Sequence, residues 1–136
     1  MRPRAFIFDP DNAFRYRIWE VLDIRGYEVF TSPVSSLCVK NLHPHEECKK
    51  DYGCADIIFS DLKIPGDFAL KAVEGQINRG CKCKHFVLLN GDWTREDLEI
   101  AHKFSCMVFE KPFTNKLLNW LDTIEKEINP KRQLEV

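Results

Sequence analysis

Asp56-Ile57-Ile58-Phe59-Ser60-Asp61-Leu62-Lys63-Ile64-Pro65 sets a short apolar run between two aspartates. Side chains alternate across a strand, so consecutive apolar residues require that both faces be covered. That is the condition of a strand inside a parallel sheet with helices packed on each side, and it points to an α/β chain. The run closes on an acid, Asp61, at its carboxyl end.

Working outward, the same alternation of short apolar runs and amphipathic stretches repeats along the chain. Ala5 to Phe8 is a first strand, and Phe14, Ile18, Val21 and Leu22 then make one stripe of a helix that ends at Gly26. Tyr27 to Phe30 is a second strand. From Ser32 to Cys54 the pattern weakens: a brief helical piece over Val34 to Leu42 gives way to the polar, proline-broken His43-Pro44-His45-Glu46-Glu47-Cys48, read as a loop insertion over about 43–54. After the central strand, Leu70, Val73 and Ile77 mark a helix closing near Gly80, and Phe86-Val87-Leu88-Leu89 is a further strand. Thr94 with Asp97 forms a capping-box start for a helix running through Phe104. Met107 to Phe109 is the fifth strand, and Thr114 precedes a last helix with Leu117, Leu121, Ile124 and Ile128 as its buried stripe, stopped at Asn129-Pro130.

Three charged residues stand at carboxyl ends of these strands: Asp9, Asp61 and Lys111. In open α/β sheets that edge is where ligands bind. Two carboxylates brought together there repel unless a cation lies between them. A hard ion such as Mg²⁺ suits such a pair, and a metal with a lysine suits phosphoryl transfer to a carboxylate nucleophile. Taken singly, an aspartate at a strand end also serves as a turn or cap residue.

The segment from Asp56 to Pro65, with a proline four residues after Asp61, resembles the phosphoacceptor strand of response-regulator receiver domains of bacterial two-component systems. Phe109-Glu110-Lys111-Pro112-Phe113 resembles their lysine strand and Lys-Pro turn, and Val87-Leu88-Leu89-Asn90-Gly91 stands where their fourth strand ends in Thr or Ser. The likeness runs from Arg4 to Ile128. It implies a flavodoxin-like, CheY-like fold: a five-stranded parallel sheet of order 2-1-3-4-5 with helices on both faces. Residues 1–128 form the receiver domain and 129–136 a tail. The resemblance further implies Asp61 as the phosphorylated residue and Lys111 as the phosphate's counter-charge. Asp9, Asp61 and the Lys63 carbonyl become Mg²⁺ ligands, and Asn90 takes the position that contacts the phosphoryl group. The partners implied are a histidine kinase and a downstream protein or a second copy, met through the face of the helix after Thr94, the fifth strand and the last helix, near Trp93, Trp120 and Phe113. A signalling module rather than an enzyme is expected.

The sequence also departs from that pattern. Pro10 replaces the second of the two usual acids, with Asp11 one place on, either reaching the ion through water or capping the first helix. Asn90 lacks a hydroxyl. Val108 stands at the aromatic switch position, and Ala69 replaces a common glycine. These changes define an alternative, a pseudo-receiver that works by contact without phosphate. A third reading takes Phe6-Ile7-Phe8-Asp9-Pro10-Asp11 as the opening of a haloacid-dehalogenase-type phosphatase with Asp9 as nucleophile, but no acidic pair follows Lys111 and Asp61 is left without a role.

Length and charge narrow the partners. At 136 residues and 44% hydrophobic the chain can bury one core but has no room for an ordinary output domain. Twenty Lys and Arg against 21 Asp and Glu, with no basic stretch interleaved with aromatics, argue against nucleic-acid binding. No run of about 18 apolar residues marks a membrane span, and the N-terminus lacks the features of a secretory signal, so a cytoplasmic location is expected. Six cysteines remain. In a reducing compartment they are thiols or metal ligands more readily than disulfides. Cys54, Cys81, Cys83 and Cys106 all precede strands and should lie on the edge opposite Asp61. Cys48, Cys54, Cys81 and Cys83 are candidate Zn²⁺ ligands, against the alternative of buried free thiols.

Overall fold

The computed structural model describes residues 2–33, 54–61, 69–89, 94–111 and 115–128, with side chains in the third segment described from Val73 onward. The helical piece expected over 34–42, most of the insertion and the tail lie outside the described residues. The elements are β1 (Arg4–Phe8), α1 (Asn12–Ile24), β2 (Glu28–Ser32), β3 (Ile57–Asp61), α2 (Ala69–Asn78), β4 (His85–Leu89), α3 (Arg95–Lys103), β5 (Met107–Phe109) and α4 (Asn115–Ile128).

All four strand pairings are parallel and the order is β2-β1-β3-β4-β5, the five-stranded arrangement expected. Alternate residues of the central strands feed two separate cores. Ile57 and Phe59 of β3 join Ile7, Val87 and Leu89 with the stripes Phe14, Ile18, Leu22 of α1 and Leu117, Leu121, Ile124 of α4. Ile58 joins Phe86 and Leu88 with Val73 of α2 and Ala101 of α3 on the other side. Helices therefore cover both faces, and every residue of β3 is buried. Full burial of each large apolar side chain contributes roughly 1.5–3 kcal/mol, so the continuous apolar runs are what commit these segments to the middle of the sheet.

Local signals set the helix ends. The Asp11 carboxylate accepts the Phe14 N–H at 3.1 Å and caps α1. Gly26, with φ of 88°, supplies the left-handed residue that turns the chain into β2. At α3 the Thr94 hydroxyl accepts the Asp97 N–H at 3.0 Å, and the Asp97 carboxylate accepts the Thr94 N–H at 3.2 Å, a complete capping box. Helices α1 and α4 are tied at their far ends by Arg25, which donates to Asp122 at 2.8 Å and Glu125 at 3.0 Å. Among the described residues no helix is long and apolar enough to cross a membrane.

Candidate acidic pocket at the carboxyl edge of the sheet

The central strands end side by side, and their terminal residues build the pocket. Asp9 follows β1 directly; its N–H donates to the Ser32 carbonyl at 3.1 Å, carrying the β1–β2 ladder one step further. Asp61 is the last residue of β3, in register with Leu89 of β4. Lys111 lies just past β5, two strands away from β3 in the sheet order. Its long stem carries the ammonium back over the end of β4 to a point 2.5 Å from Asp61 Oδ2 and 2.8 Å from Asp9 Oδ2. The ammonium also lies 4.8 Å from the centre of the Phe14 ring, a cation–π contact from the first turn of α1.

Asp9 is fully buried and Asp61 is 6% exposed. Burial drives the Asp9 carboxyl above its ordinary range, while the Lys111 ammonium and the Asp11 N–H, which donates to Asp9 Oδ1 at 2.8 Å, pull it back. The opposite balance holds for Lys111. Burial disfavours its charged form, but the contacts with Asp61 and Asp9 outweigh that and hold its pKa above the usual lysine value. The contact between Lys111 and Asp9 is an ion pair without hydrogen-bond alignment, so among the described residues Asp9 Oδ2 has no hydrogen-bond donor. This oxygen already has one cation at 2.8 Å, but two carboxylates share that single ammonium, and the remaining negative charge favours a further cation. Together with Asp61, Asp9 offers two hard oxygen ligands, the number a water-retaining Mg²⁺ commonly takes from protein. No group of three or more His, Cys, Asp or Glu able to hold a metal occurs among the described residues.

The other expected site residues divide three ways. Asp11 Oδ1 accepts the Phe14 N–H and caps α1. Lys63, Asn90, Pro65, Trp93, Phe113 and Cys48 lie outside the described residues. Cys54, Cys81 and Cys83 form no disulfide, and no group of three or more metal-ligating side chains occurs among the described residues; Cys48, the fourth expected zinc ligand, lies outside them. Burial among apolar side chains pushes the Cys83 thiol up to about 12, keeping it protonated, and the Cys81 sulfur accepts from the Gln76 amide at 3.6 Å. Cys106, also free, is raised by burial to about 11.

Two contributors were not legible as site residues. Phe14 reads only as a core position of α1, yet its ring lies beside the ammonium. Arg15, one residue on, donates to the Asp9 carbonyl and to Asn12 Oδ1, bracing the turn between β1 and α1. No spacing rule marks either. On the face of α3, β5 and α4, Trp120 is half-buried against Phe109 and His85, with ring centroids 5.8 Å away in each case, so it serves packing. Among the described residues, Leu98 and Met107 are the exposed large apolar side chains there.

No family model matches the sequence, and a comparison with curated proteins finds no match. Solved structures do match. The signal receiver domain of an HD domain-containing protein from Pseudomonas fluorescens superposes with a TM-score of 0.71 at 17% identity, covering 97% of this chain and 93% of its own. A chemotaxis protein of Vibrio cholerae gives 0.67 at 18% identity over 93% and 98%. A response regulator from Burkholderia pseudomallei, solved with a phosphorylated aspartic acid, a calcium ion and citrate, gives 0.66 at 19% identity over 98% of this chain and 74% of that one. The fold is that of response-regulator receiver domains.

Proposed function

We propose that this chain is a phosphoacceptor module of a bacterial two-component system, working in the cytoplasm and taking a phosphoryl group from a histidine kinase onto Asp61. The observation that carries the reading is the single ammonium of Lys111 held at 2.5 Å from Asp61 and 2.8 Å from buried Asp9. Two buried acids converging on one lysine leave a net negative charge at the edge where such sheets bind ligands.

In the transfer, an Asp61 carboxylate oxygen attacks the phosphorus of a phosphohistidine. The new O–P bond forms as the P–N bond breaks, the electron pair leaves with the imidazole, and an acyl phosphate remains on Asp61. Lys111 is released from its contact with the attacking oxygen and turns its charge to the phosphoryl oxygens, where charge develops. Asp9 keeps the ammonium in place and, with Asp61 and the Lys63 carbonyl, would hold Mg²⁺. When bound, that ion supplies further neutralisation of phosphoryl charge. Asn90 is assigned to contact the phosphoryl group through its amide. The altered pocket then signals through protein contact on the α3-β5-α4 face, with a downstream protein or a second copy.

A pseudo-receiver is the second reading, and one observation favours it: with Pro10 in place of an acid and Asp11 used as a helix cap, the pocket has fewer carboxylates than receivers usually offer a metal. Incubation with a small phosphodonor and Mg²⁺, read by intact mass, separates the two. The proposal expects a labile phosphoryl adduct that disappears in Asp61→Asn, and an unmodified mass in the wild type overturns it.

A further inference from the structure

The opposite edge of the sheet carries the reverse charge. Between the amino ends of β1, β3 and β4 and the last turn of α4 lies a cavity of about 580 Å³. Arg2 and Arg4 line it from the start of β1, and Lys82 and Lys84 from the lead-in to β4. Facing them are two acids, Asp56 and Glu127, with His85 between the sheet and α4. Four cations against two carboxylates leave an excess of two positive charges, in a chain whose formal net charge is -1.

That excess is what remains after both acids are counted. Asp56 Oδ2 accepts the Arg4 backbone N–H at 2.8 Å, and the Glu127 side chain is 70% exposed and 3.8 Å from His85 Nε2. Most contacts of the cations are with neutral acceptors that orient them without neutralising them. Arg2 donates to the Gly26 and Tyr27 carbonyls at 3.1 and 2.8 Å, and Lys82 to the Gly80 carbonyl at 2.8 Å. Arg4 has a carboxylate partner in Glu28 at 3.4 Å, but both side chains are about two-fifths exposed, where such pairs contribute little. Two arginines held by backbone contacts keep donors to spare, and a guanidinium fork matches phosphate oxygens two at a time. The concavity has the size of small-molecule sites, roughly 300–1,000 Å³, rather than of a macromolecular surface.

We propose that this cavity is a second binding site, independent of the acidic pocket, for a small anion bearing two or more phosphate charges. The proposal stands whether or not Asp61 accepts a phosphoryl group.

Isothermal titration of the full chain with inorganic pyrophosphate in EDTA tests it, with tricarballylate as a carboxylate comparator. Saturable one-to-one binding of pyrophosphate is expected, weakened about tenfold by Lys84→Gln, the loss of one charge-assisted contact. Lys84 is exposed, so this variant keeps the fold. Glu127→Gln should tighten binding. Arg95→Gln should leave it unchanged, because Arg95 is 94% exposed at the start of α3, on the carboxyl edge. No saturation at millimolar pyrophosphate overturns the proposal, as does equal weakening by Arg95→Gln, which marks diffuse attraction. Binding lost in Lys111→Gln and kept in Lys84→Gln would assign the anion to the acidic pocket instead. Tricarballylate binding as tightly as pyrophosphate overturns the phosphate class.

Discussion

Replacing Lys111 with methionine keeps the stem of the side chain and deletes the charge that both carboxylates share. The two Oδ2 atoms lie 2.8 and 2.5 Å from one nitrogen, on side chains 0% and 9% exposed, so once the ammonium is gone they face each other across a short gap with little water. At an effective dielectric of about 20, two unit charges roughly 5 Å apart repel by about 3 kcal/mol. Breaking a buried pair by removing one partner costs about 3–5 kcal/mol. The lysine is itself 23% exposed, which places the expected loss at the lower end, about 3 kcal/mol at pH 8. The loss must also depend on pH. Asp9 already has its pKa raised by burial above 3.8, so the native state holds that proton to higher pH than the unfolded chain. The unfolded chain then binds fewer protons over that window, and stability falls as pH rises through it. Without Lys111 the Asp9 pKa climbs further and the window widens. Toward acid pH, as Asp9 in the variant takes up its proton, the loss should shrink. Lys111 itself, raised above 10.5, contributes stability that is present below that value and lost as pH rises through its folded pKa, an alkaline loss the variant lacks. Urea unfolding at pH 5 and pH 8 measures the Asp9 dependence and a series above pH 10.5 the alkaline one, and adding Asp9→Asn to Lys111→Met should restore most of the loss at pH 8. An equal cost at both pH values, or no rescue by Asp9→Asn, would refute the electrostatic account and leave lost packing against Phe14 in its place.

Two further outcomes follow from the site as described. Asp11→Ala should cost about 1 kcal/mol of stability through the lost α1 cap, while Mg²⁺ affinity, followed by intrinsic fluorescence, stays within twofold; a large drop in affinity would return Asp11 to the metal site. Native-state alkylation at pH 8, mapped by peptide mass, should label half-buried Cys54 and Cys81 well before Cys83 and Cys106, whose thiols burial holds at about 12 and about 11; labelling of Cys83 at the rate of Cys54 would contradict their burial.

The central strands were legible because their residues serve two cores at once, and a run such as Ile57-Ile58-Phe59 has no other stable use. The edge was less so. The second strand reads as Tyr27 to Phe30 by hydrophobicity, but it pairs as Glu28–Ser32, with Phe30 49% exposed. Tyr27 is buried just before it, its hydroxyl donating to Glu125 at 3.3 Å. At a sheet edge the ladder to β1 sets the strand, and the apolar pattern no longer follows it. Asp56 likewise reads as the first residue of β3, whereas its carboxylate takes the Arg4 N–H and stands outside the strand. The acidic pocket was legible in its parts and not in its arrangement. Each of Asp9, Asp61 and Lys111 is marked by its place after an apolar run, but that one ammonium meets both acids depends on strand order, which brings residues 50 apart in sequence together. The outcome is a pocket in which two acids share one cation and the buried Asp9 Oδ2 has no hydrogen-bond donor among the described residues. Such a pocket gains from a second positive charge and opposes a bare phosphoryl group. Under the proposed phosphoacceptor reading, the departure at Pro10 therefore acts first on cation affinity, and on phosphoryl transfer through it.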